Sequence, residues 1–162
     1  MSSLYAENDS NKSRVLSAVG DPNQARGISH GLKSYKDITL TAAQLDTLAA
    51  TAVELIPAPG AGKALIFEGA FVFLDYVSAT YAGTSETITI KYENGSGATV
   101  GTITEAFIES TADAYLNVVP VTAVALVNKA LVAIASADLT TGDGIMKLRV
   151  YYRVVTAQLT AE

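Results

Sequence analysis

Two segments of the chain alternate apolar and polar side chains strictly, and this period of two restricts the fold more than any other feature. In Glu86–Tyr92, the residues Ile88, Ile90 and Tyr92 fall on one side. In Ile145–Val155, aliphatic residues and Tyr152 fall on one side, and the other side carries Lys147, Arg149, Tyr151 and Arg153. Successive side chains of a β-strand point to opposite faces of its sheet, so both segments predict half-buried strands.

Six further segments are rich in β-forming residues and are bounded by turn residues. They are Asp37–Leu40, Val53–Ile56, Ala64–Tyr76, Ala98–Ile103, Val121–Val127 and Ala130–Ala135. One long buried helix across the last two is the alternative. Within the longest of the six we expect Phe67, Phe71 and Phe73 in the core and a bulge at Gly69.

Helical signals are few and short. Thr41 and Gln44 form a capping-box pattern, and Ser110–Asp113 is a second candidate helix start. Turns are predicted at Pro57–Gly62, Glu93–Gly97 and Thr140–Gly144, which are rich in Gly, Pro and Asn. About eight strands joined by tight turns predict an all-β protein: a jelly-roll-like β-sandwich with one or two short helices.

Residues 1–36 differ from the rest because they show no sustained period and contain several glycine breakers. We expect an extended N-terminal arm here that becomes ordered only when it lies on a surface, followed by a β-sandwich body at 37–162. The arm carries five basic and three acidic residues, or +2, so the body carries −5 − 2 = −7. A basic arm would bind an acidic surface by charge attraction. The alternative is a tail that stays in solvent. The acidic body argues against nucleic acid as a partner.

Membrane and secretion signals are weak. Residues 1–13 are polar and lack the apolar region of a signal peptide. The most apolar stretch, Val118–Ala135, contains Pro120, Asn128 and Lys129, so we expect buried sheet there and no membrane partner.

No catalytic, metal-binding or cofactor-binding motif is complete. The chain has no cysteine, and its one histidine, His30, lies in the polar arm. Pro57–Lys63 resembles a phosphate-binding loop but lacks the first Gly and the Ser or Thr after Lys. The acidic residues near Asp143 do not have calcium-loop spacing. We therefore expect a protein that is not an enzyme and has no metal or cofactor.

The polar side of the last strand is the most distinctive surface in the sequence. Lys147, Arg149, Tyr151 and Arg153 form a basic and aromatic stripe within an acidic body. Tyr and Arg are over-represented at protein interfaces, so the stripe is a candidate binding surface. An ordinary solvent-facing strand is the alternative.

Several segments resemble a pattern shared by small structural proteins of tailed bacteriophages. The resemblance covers roughly residues 38–155 and leaves the arm outside. It is carried by Leu40–Leu45, Val53–Lys63, Leu74–Tyr76, Ser110–Ala114, Val127–Leu131 and Gly142–Val155.

The resemblance implies a capsid decoration (cement) protein of jelly-roll type. Such proteins are typically homotrimers on the outer surface of the head, where they bridge copies of the major capsid protein, and they are made in the host cytoplasm. On this interpretation the partner-binding residues are Tyr5, Arg14, Arg26 and Tyr35 in the arm and Tyr151 and Arg153 in the body. The alternative is a head-fibre or tail adhesion module that binds a host receptor or glycan through exposed Tyr76, Tyr81 and Tyr115.

Overall fold

The computed structural model describes residues 33–82, 86–93 and 97–156, and these form eight strands and two short helices. In chain order they are β1 (Ser34–Leu40), α1 (Ala42–Asp46), β2 (Val53–Ile56), β3 (Lys63–Asp75), β4 (Ile88–Tyr92), β5 (Thr99–Ile103), α2 (Glu105–Ile108), β6 (Ala114–Val118), β7 (Leu131–Ala135) and β8 (Ile145–Thr156). The predicted all-β class with two short helices is confirmed.

The strands form two four-stranded antiparallel sheets, ordered β1-β8-β3-β6 and β2-β7-β4-β5. The first strand pairs with the last, the second with the seventh, the third with the sixth and the fourth with the fifth. Such nested pairing results when one long hairpin is rolled into two layers, which is the jelly-roll arrangement. The predicted all-β sandwich is therefore confirmed.

One hydrophobic cluster joins the two sheets. The predicted inward face of β4 is confirmed, because Ile88, Ile90 and Tyr92 are fully buried. Gly101 of β5 leaves the space that the ring of Phe67 occupies, since a Cβ at Gly101 would lie 3.1 Å from that ring. Close packing of this kind couples the sheets into one cooperative core.

The capping box at the start of α1 is confirmed. The backbone N–H of Gln44 donates to Thr41 Oγ1 at 3.3 Å, and the backbone N–H of Thr41 donates to Gln44 Oε1 at 3.0 Å. These two bonds satisfy donors that a helix start otherwise leaves free. The short helix buries Leu45, and Leu48 follows it into the core.

A bulge interrupts β3, as the sequence predicts, and it reverses the direction of the side chains that follow. The register with β8 shifts between Phe67 and Gly69, and Gly69 has a φ of 136°, a conformation that other residues rarely adopt. Phe67 is buried, as predicted. Beyond the bulge the predicted core positions are wrong: Phe71 is 44% exposed and Phe73 is only partly buried.

Two predictions for the second half of the chain are also wrong. The helix lies at Glu105–Ile108 because Phe107 and Ile108 bury there, whereas Asp113 accepts a hydrogen bond from the backbone N–H of Tyr76. Residues 121–127 form no strand and make one isolated bridge, between Val127 and Ala64. The loop's carbonyl at Val124 instead accepts a bond from the Tyr92 hydroxyl. The following strand, β7, is confirmed, so the single long helix is excluded.

The first sheet begins at Ser34, three residues before the predicted start of the body. Ser34–Leu40 pairs along its whole length with Met146–Tyr152 of β8. Tyr35, predicted to be an arm contact, is therefore part of β1. The predicted arm contacts Tyr5, Arg14 and Arg26 lie outside the described residues. None of the helices in the described ranges is long and apolar enough to cross a membrane.

Candidate functional site

The outward side of the sheet β1-β8-β3-β6, here called the aromatic face, carries the most exposed aromatic side chains of the described residues. Tyr35 on β1, Phe71 on β3 and Tyr115 on β6 are 60%, 44% and 67% exposed. The outward positions of the opposite sheet include Thr89, Lys91 and Thr102 instead, all partly buried. The two outer surfaces of the sandwich therefore differ in chemistry, and the aromatic face is the candidate functional surface.

Aromatic rings on β1 and β3, the two strands that flank β8, are contacted by basic side chains of β8. Tyr115 stacks on Phe73 with ring centroids 4.7 Å apart and on Phe71 at 5.6 Å. Lys147 Nζ lies 5.5 Å from the centroid of the Phe73 ring. On the β1 side, the Arg149 guanidinium lies 4.7 Å from the centroid of the Tyr35 ring. Cation–π contacts of this kind hold both long side chains against the sheet.

The positive charges of the predicted basic stripe are neutralised by acidic neighbours. Arg149 donates from Nε and Nη2 to the two carboxylate oxygens of Asp37 at 2.7 and 2.8 Å. Lys147 Nζ donates to Asp75 at 2.9 Å, and Arg153 donates to Glu68 at 2.6 Å. The stripe is therefore a row of ion pairs, a correction to the basic surface that the sequence of β8 alone indicates.

The electrostatics of the two acidic partners keep both charged at neutral pH. The Arg149 guanidinium holds the pKa of Asp37 below its usual range. At Glu68, desolvation raises the pKa, but hydrogen bonds from Arg153 and Lys33 lower it by more, so the net shift is downward. Lys33 Nζ lies 3.2 Å from Glu68, so one carboxylate joins the beginning of the described chain to its last strand.

A shallow groove of about 420 Å³ runs across the aromatic face. It is lined by Asp37, Ile38, Thr39, Phe71, Phe73, Tyr115, Lys147, Leu148, Arg149 and Tyr151. The groove thus combines apolar rings with hydroxyl, carboxylate and guanidinium groups. This mixture is typical of ligand sites, where apolar surface supplies contact and a few polar groups fix orientation.

The structure brings together three of the residues that the sequence singled out. Tyr35 and Tyr151 are direct neighbours in the β1–β8 register, with ring centroids 6.3 Å apart. Arg153 is two residues further along β8, on the same side. Sequence reasoning missed Phe71 and Phe73 as surface residues. The signal was present at Gly69, because a one-residue bulge reverses the alternation after it.

The other tyrosines proposed as exposed loop residues have different surroundings. Tyr81 is 2% exposed, and its hydroxyl donates to the carbonyl of Gly144 at 2.5 Å. Burial, with the nearby charges of Asp46 and Asp143, raises the pKa of Tyr81 to about 12. Tyr76 donates to the carbonyl of Ser78 at 2.7 Å. Exposure at Tyr81 was wrongly predicted, whereas Tyr115 is exposed as expected.

Asp143, one of the acidic residues whose spacing does not match a calcium loop, organises a loop of the structure. Its carboxylate accepts hydrogen bonds from the backbone N–H groups of Ser78 and Ala79, at 3.0 and 2.9 Å, and from the Ser78 hydroxyl at 2.6 Å. These donors lower the pKa of Asp143 to about 2. Within the described ranges, no group of three or more His, Cys, Asp or Glu side chains is placed to hold a metal ion.

Comparison with known proteins gives similarities at the level of solved structures only. No protein-family model and no curated protein matches the chain. A chain in the capsid asymmetric unit of cyanophage Pam1 is 17% identical, with a TM-score of 0.47 and coverage of 75% of this chain and 83% of that one. A chain in the acid-stable capsid of Helicobacter pylori bacteriophage KHP30 is 14% identical, with a TM-score of 0.35 and coverage of 76% and 97%.

A third similarity is to a chain from the disulfide-linked pili that form Bacillus endospore appendages. It is 19% identical, with a TM-score of 0.32 and coverage of 74% of this chain and 86% of that one. At such identities and TM-scores the three similarities carry no argument about the function of this chain.

Proposed function

We propose that this protein is a phage virion structural protein, a capsid decoration (cement) protein that binds the outer surface of the head as a homotrimer. Binding to the major capsid protein is its activity, and catalysis is not part of it. The observation that carries the proposal is a cluster that we call the arm-junction patch: Lys33, Tyr35, Glu68, Tyr151 and Arg153. The first two come from the beginning of the described chain and the last two from its final strand, so the patch lies next to the point where the predicted arm joins the body.

The chemistry of the arm-junction patch suits burial against another protein. Tyr and Arg are the residues that contribute most to protein interfaces. Glu68 already pairs with Lys33 and Arg153, at 3.2 and 2.6 Å. A partner that covers the patch therefore leaves each charged group in contact with an opposite charge, although two cations share one carboxylate and the cluster keeps a net charge of +1, which an acidic partner surface would compensate.

The proposed mechanism is preferential binding to the mature lattice. A protein that binds one state of a shell and not another stabilises that state by mass action. Three copies joined by a symmetry axis bind three equivalent sites, so individually weak contacts add to a high avidity. The resemblance of residues 38–155 to tailed-phage structural proteins supports this mechanism, as does the jelly-roll-like body.

The test is binding of the purified protein to undecorated phage heads, measured by co-sedimentation, with the oligomeric state determined by analytical ultracentrifugation. We expect a trimer that attaches to the heads. The double variant Tyr35→Ala, Tyr151→Ala should lose about tenfold or more in affinity, because it removes two adjacent rings of the patch.

The matched control is Tyr115→Ala, which removes an equally exposed tyrosine on the same sheet but at the other edge strand. It should bind heads like the unmodified protein. Equal losses in both variants, or a protein that does not attach to any head, would contradict the proposal. Deletion of residues 1–32 tests the predicted arm separately, and undiminished binding would remove the arm from the mechanism.

A further inference from the structure

We propose that the groove on the aromatic face is a binding site for a neutral saccharide. The inference goes beyond capsid decoration and does not depend on it, because the groove is centred away from the arm-junction patch. Thr39, Lys147, Phe73 and Tyr115 form one cross-strand row. Tyr151, which borders both sites, is four residues from Lys147 along β8, or about 13 Å.

The aromatic part of the groove offers a platform for the flat face of a sugar ring. Tyr115 is 67% exposed although it stacks on both Phe71 and Phe73. The stack fixes the ring without covering it, so little conformational freedom is left to lose on binding. The face of an aromatic ring is electronegative and attracts the slightly positive C–H groups that line one side of a pyranose.

The polar part of the groove offers both donors and acceptors beside that platform. Each oxygen of Asp37 accepts one bond from Arg149 and keeps lone pairs for further donors. Arg149 has five N–H donors, of which two go to Asp37, and Thr39 adds a hydroxyl that donates or accepts. Sugar hydroxyls likewise donate and accept, so this set matches a polyhydroxyl ligand.

The charge of the groove selects for a neutral ligand. Each charged lining residue has an opposite partner in place: Arg149 with Asp37, and Lys147 with Asp75. An anionic or cationic ligand would have to compete with these pairs. The chain also has a net charge of −5, which repels sialylated or sulfated sugars and nucleotides at long range. The groove volume of about 420 Å³ lies within the range of small-ligand sites.

The test applies the full-length protein to an array of neutral glucose, galactose and N-acetylglucosamine oligomers, with sialylated and sulfated oligosaccharides as the ionic comparison. Hits are titrated by tyrosine fluorescence, since the chain has eight tyrosines and no tryptophan. We expect saturable binding of a neutral oligomer, weakened about tenfold in Tyr115→Ala, where the platform is lost. Tyr115→Phe keeps the ring, so its affinity for the sugar should lie between those of the unmodified protein and Tyr115→Ala.

The control is Tyr35→Ala, which removes a similarly exposed tyrosine outside the groove. Arg149 loses its contact with that ring but keeps the two hydrogen bonds that it donates to Asp37. It should bind the sugar like the unmodified protein, although it should weaken binding to heads. No saturable binding to any neutral oligomer would overturn the inference, as would a preference for ionic sugars or equal losses in Tyr115→Phe and Tyr115→Ala. A sedimenting mass that falls in Tyr115→Ala would also overturn it, because a second copy would then cover the groove.

Discussion

Single tyrosines serve two distinct purposes in this protein. Tyr81 and Tyr92 are buried, and their hydroxyls donate to backbone carbonyls of segments far away in sequence. Tyr35 and Tyr115 are exposed on the aromatic face. The sequence shows that tyrosine is abundant. Which tyrosines are buried depends on which backbone carbonyls the fold leaves without a strand partner, because a buried tyrosine hydroxyl donates to such a carbonyl. The clear alternation of β4 predicts burial of Tyr92, whereas nothing around Tyr81 does so.

Replacement of Tyr92 by Phe tests the structural role of a buried hydroxyl. That hydroxyl lies 2.7 Å from the carbonyl oxygen of Leu65 and 2.8 Å from that of Val124. Without it, the buried carbonyl of Leu65 and the partly buried carbonyl of Val124 lose a donor, and the free energy of unfolding should fall by about 1–2 kcal/mol in urea titrations. Tyr35→Phe, which removes an exposed hydroxyl, is the control and should change it little. Equal effects of the two variants would contradict this assignment.

The low pKa of Asp143 predicts a specific loss of stability in acid. Its folded pKa is about 2 against an ordinary value of 3.8, so its contribution is complete above 3.8 and is lost as the pH falls through 2. Urea unfolding of the unmodified protein and of Asp143→Asn should show a difference that shrinks across that range. Other carboxylates, such as Asp37, titrate in both proteins, so their effects cancel in the difference between the two unfolding free energies. A difference that is constant with pH would exclude this role.

At the scale of elements, the bulge in β3 determines which surface is aromatic. The sequence shows the strand, its phenylalanines and the glycine, and it predicts the bulge. What it does not show is the extra residue in the register with β8, which places Phe71 and Phe73 on the same side as Arg149 and Lys147. The groove is therefore a product of strand pairing: Gly69 signals the bulge, but only the pairing with β8 shows that one extra residue turns the later phenylalanines outward.

Gly69→Ala tests how strongly the bulge depends on glycine. The backbone there has a φ of 136°, and an added Cβ would lie 3.0 Å from the carbonyl oxygen of Val118. We expect a loss of about 1–3 kcal/mol in the free energy of unfolding, measured in urea. Thr102→Ala, at an outward position of β5, should change it by less than about 0.5 kcal/mol. An unaffected Gly69→Ala protein would show that the bulge tolerates a side chain.

At the scale of the whole molecule, the nested strand pairing separates what the sequence can predict from what it cannot. The two-layer class and the approximate positions of seven of the eight strands follow from local alternation and turn residues, whereas β6 was missed and the strand expected at 121–127 is absent. The pairing of β1 with β8 does not follow from local patterns, because it joins residues such as Asp37 and Arg149, 112 positions apart. In the sequence, the only hint of the β1–β8 pairing is that Asp37 and Arg149, near the middle of their strands, have opposite charges. Many other strand pairings would match charges equally well.

This topology predicts slow folding. Contacts between distant parts of the chain require large loops to close before they contribute stability, so sandwiches of this kind fold in milliseconds to seconds. Stopped-flow dilution from urea, followed by tyrosine fluorescence and by far-ultraviolet circular dichroism, should give rates in that range. Complete refolding within microseconds would contradict the long-range pairing.

The central place of β8 in the first sheet also fixes the order of events during synthesis. β8 lies between β1 and β3, so neither of those strands has its inner neighbour until the ribosome has released Ile145–Thr156. A nascent chain that stops before this segment would present two open strand edges and an uncovered apolar layer, which invite aggregation or capture by chaperones. Once β8 has paired with β1 and β3, these strand edges are covered, and the newly made chain is less prone to aggregate with other copies of itself.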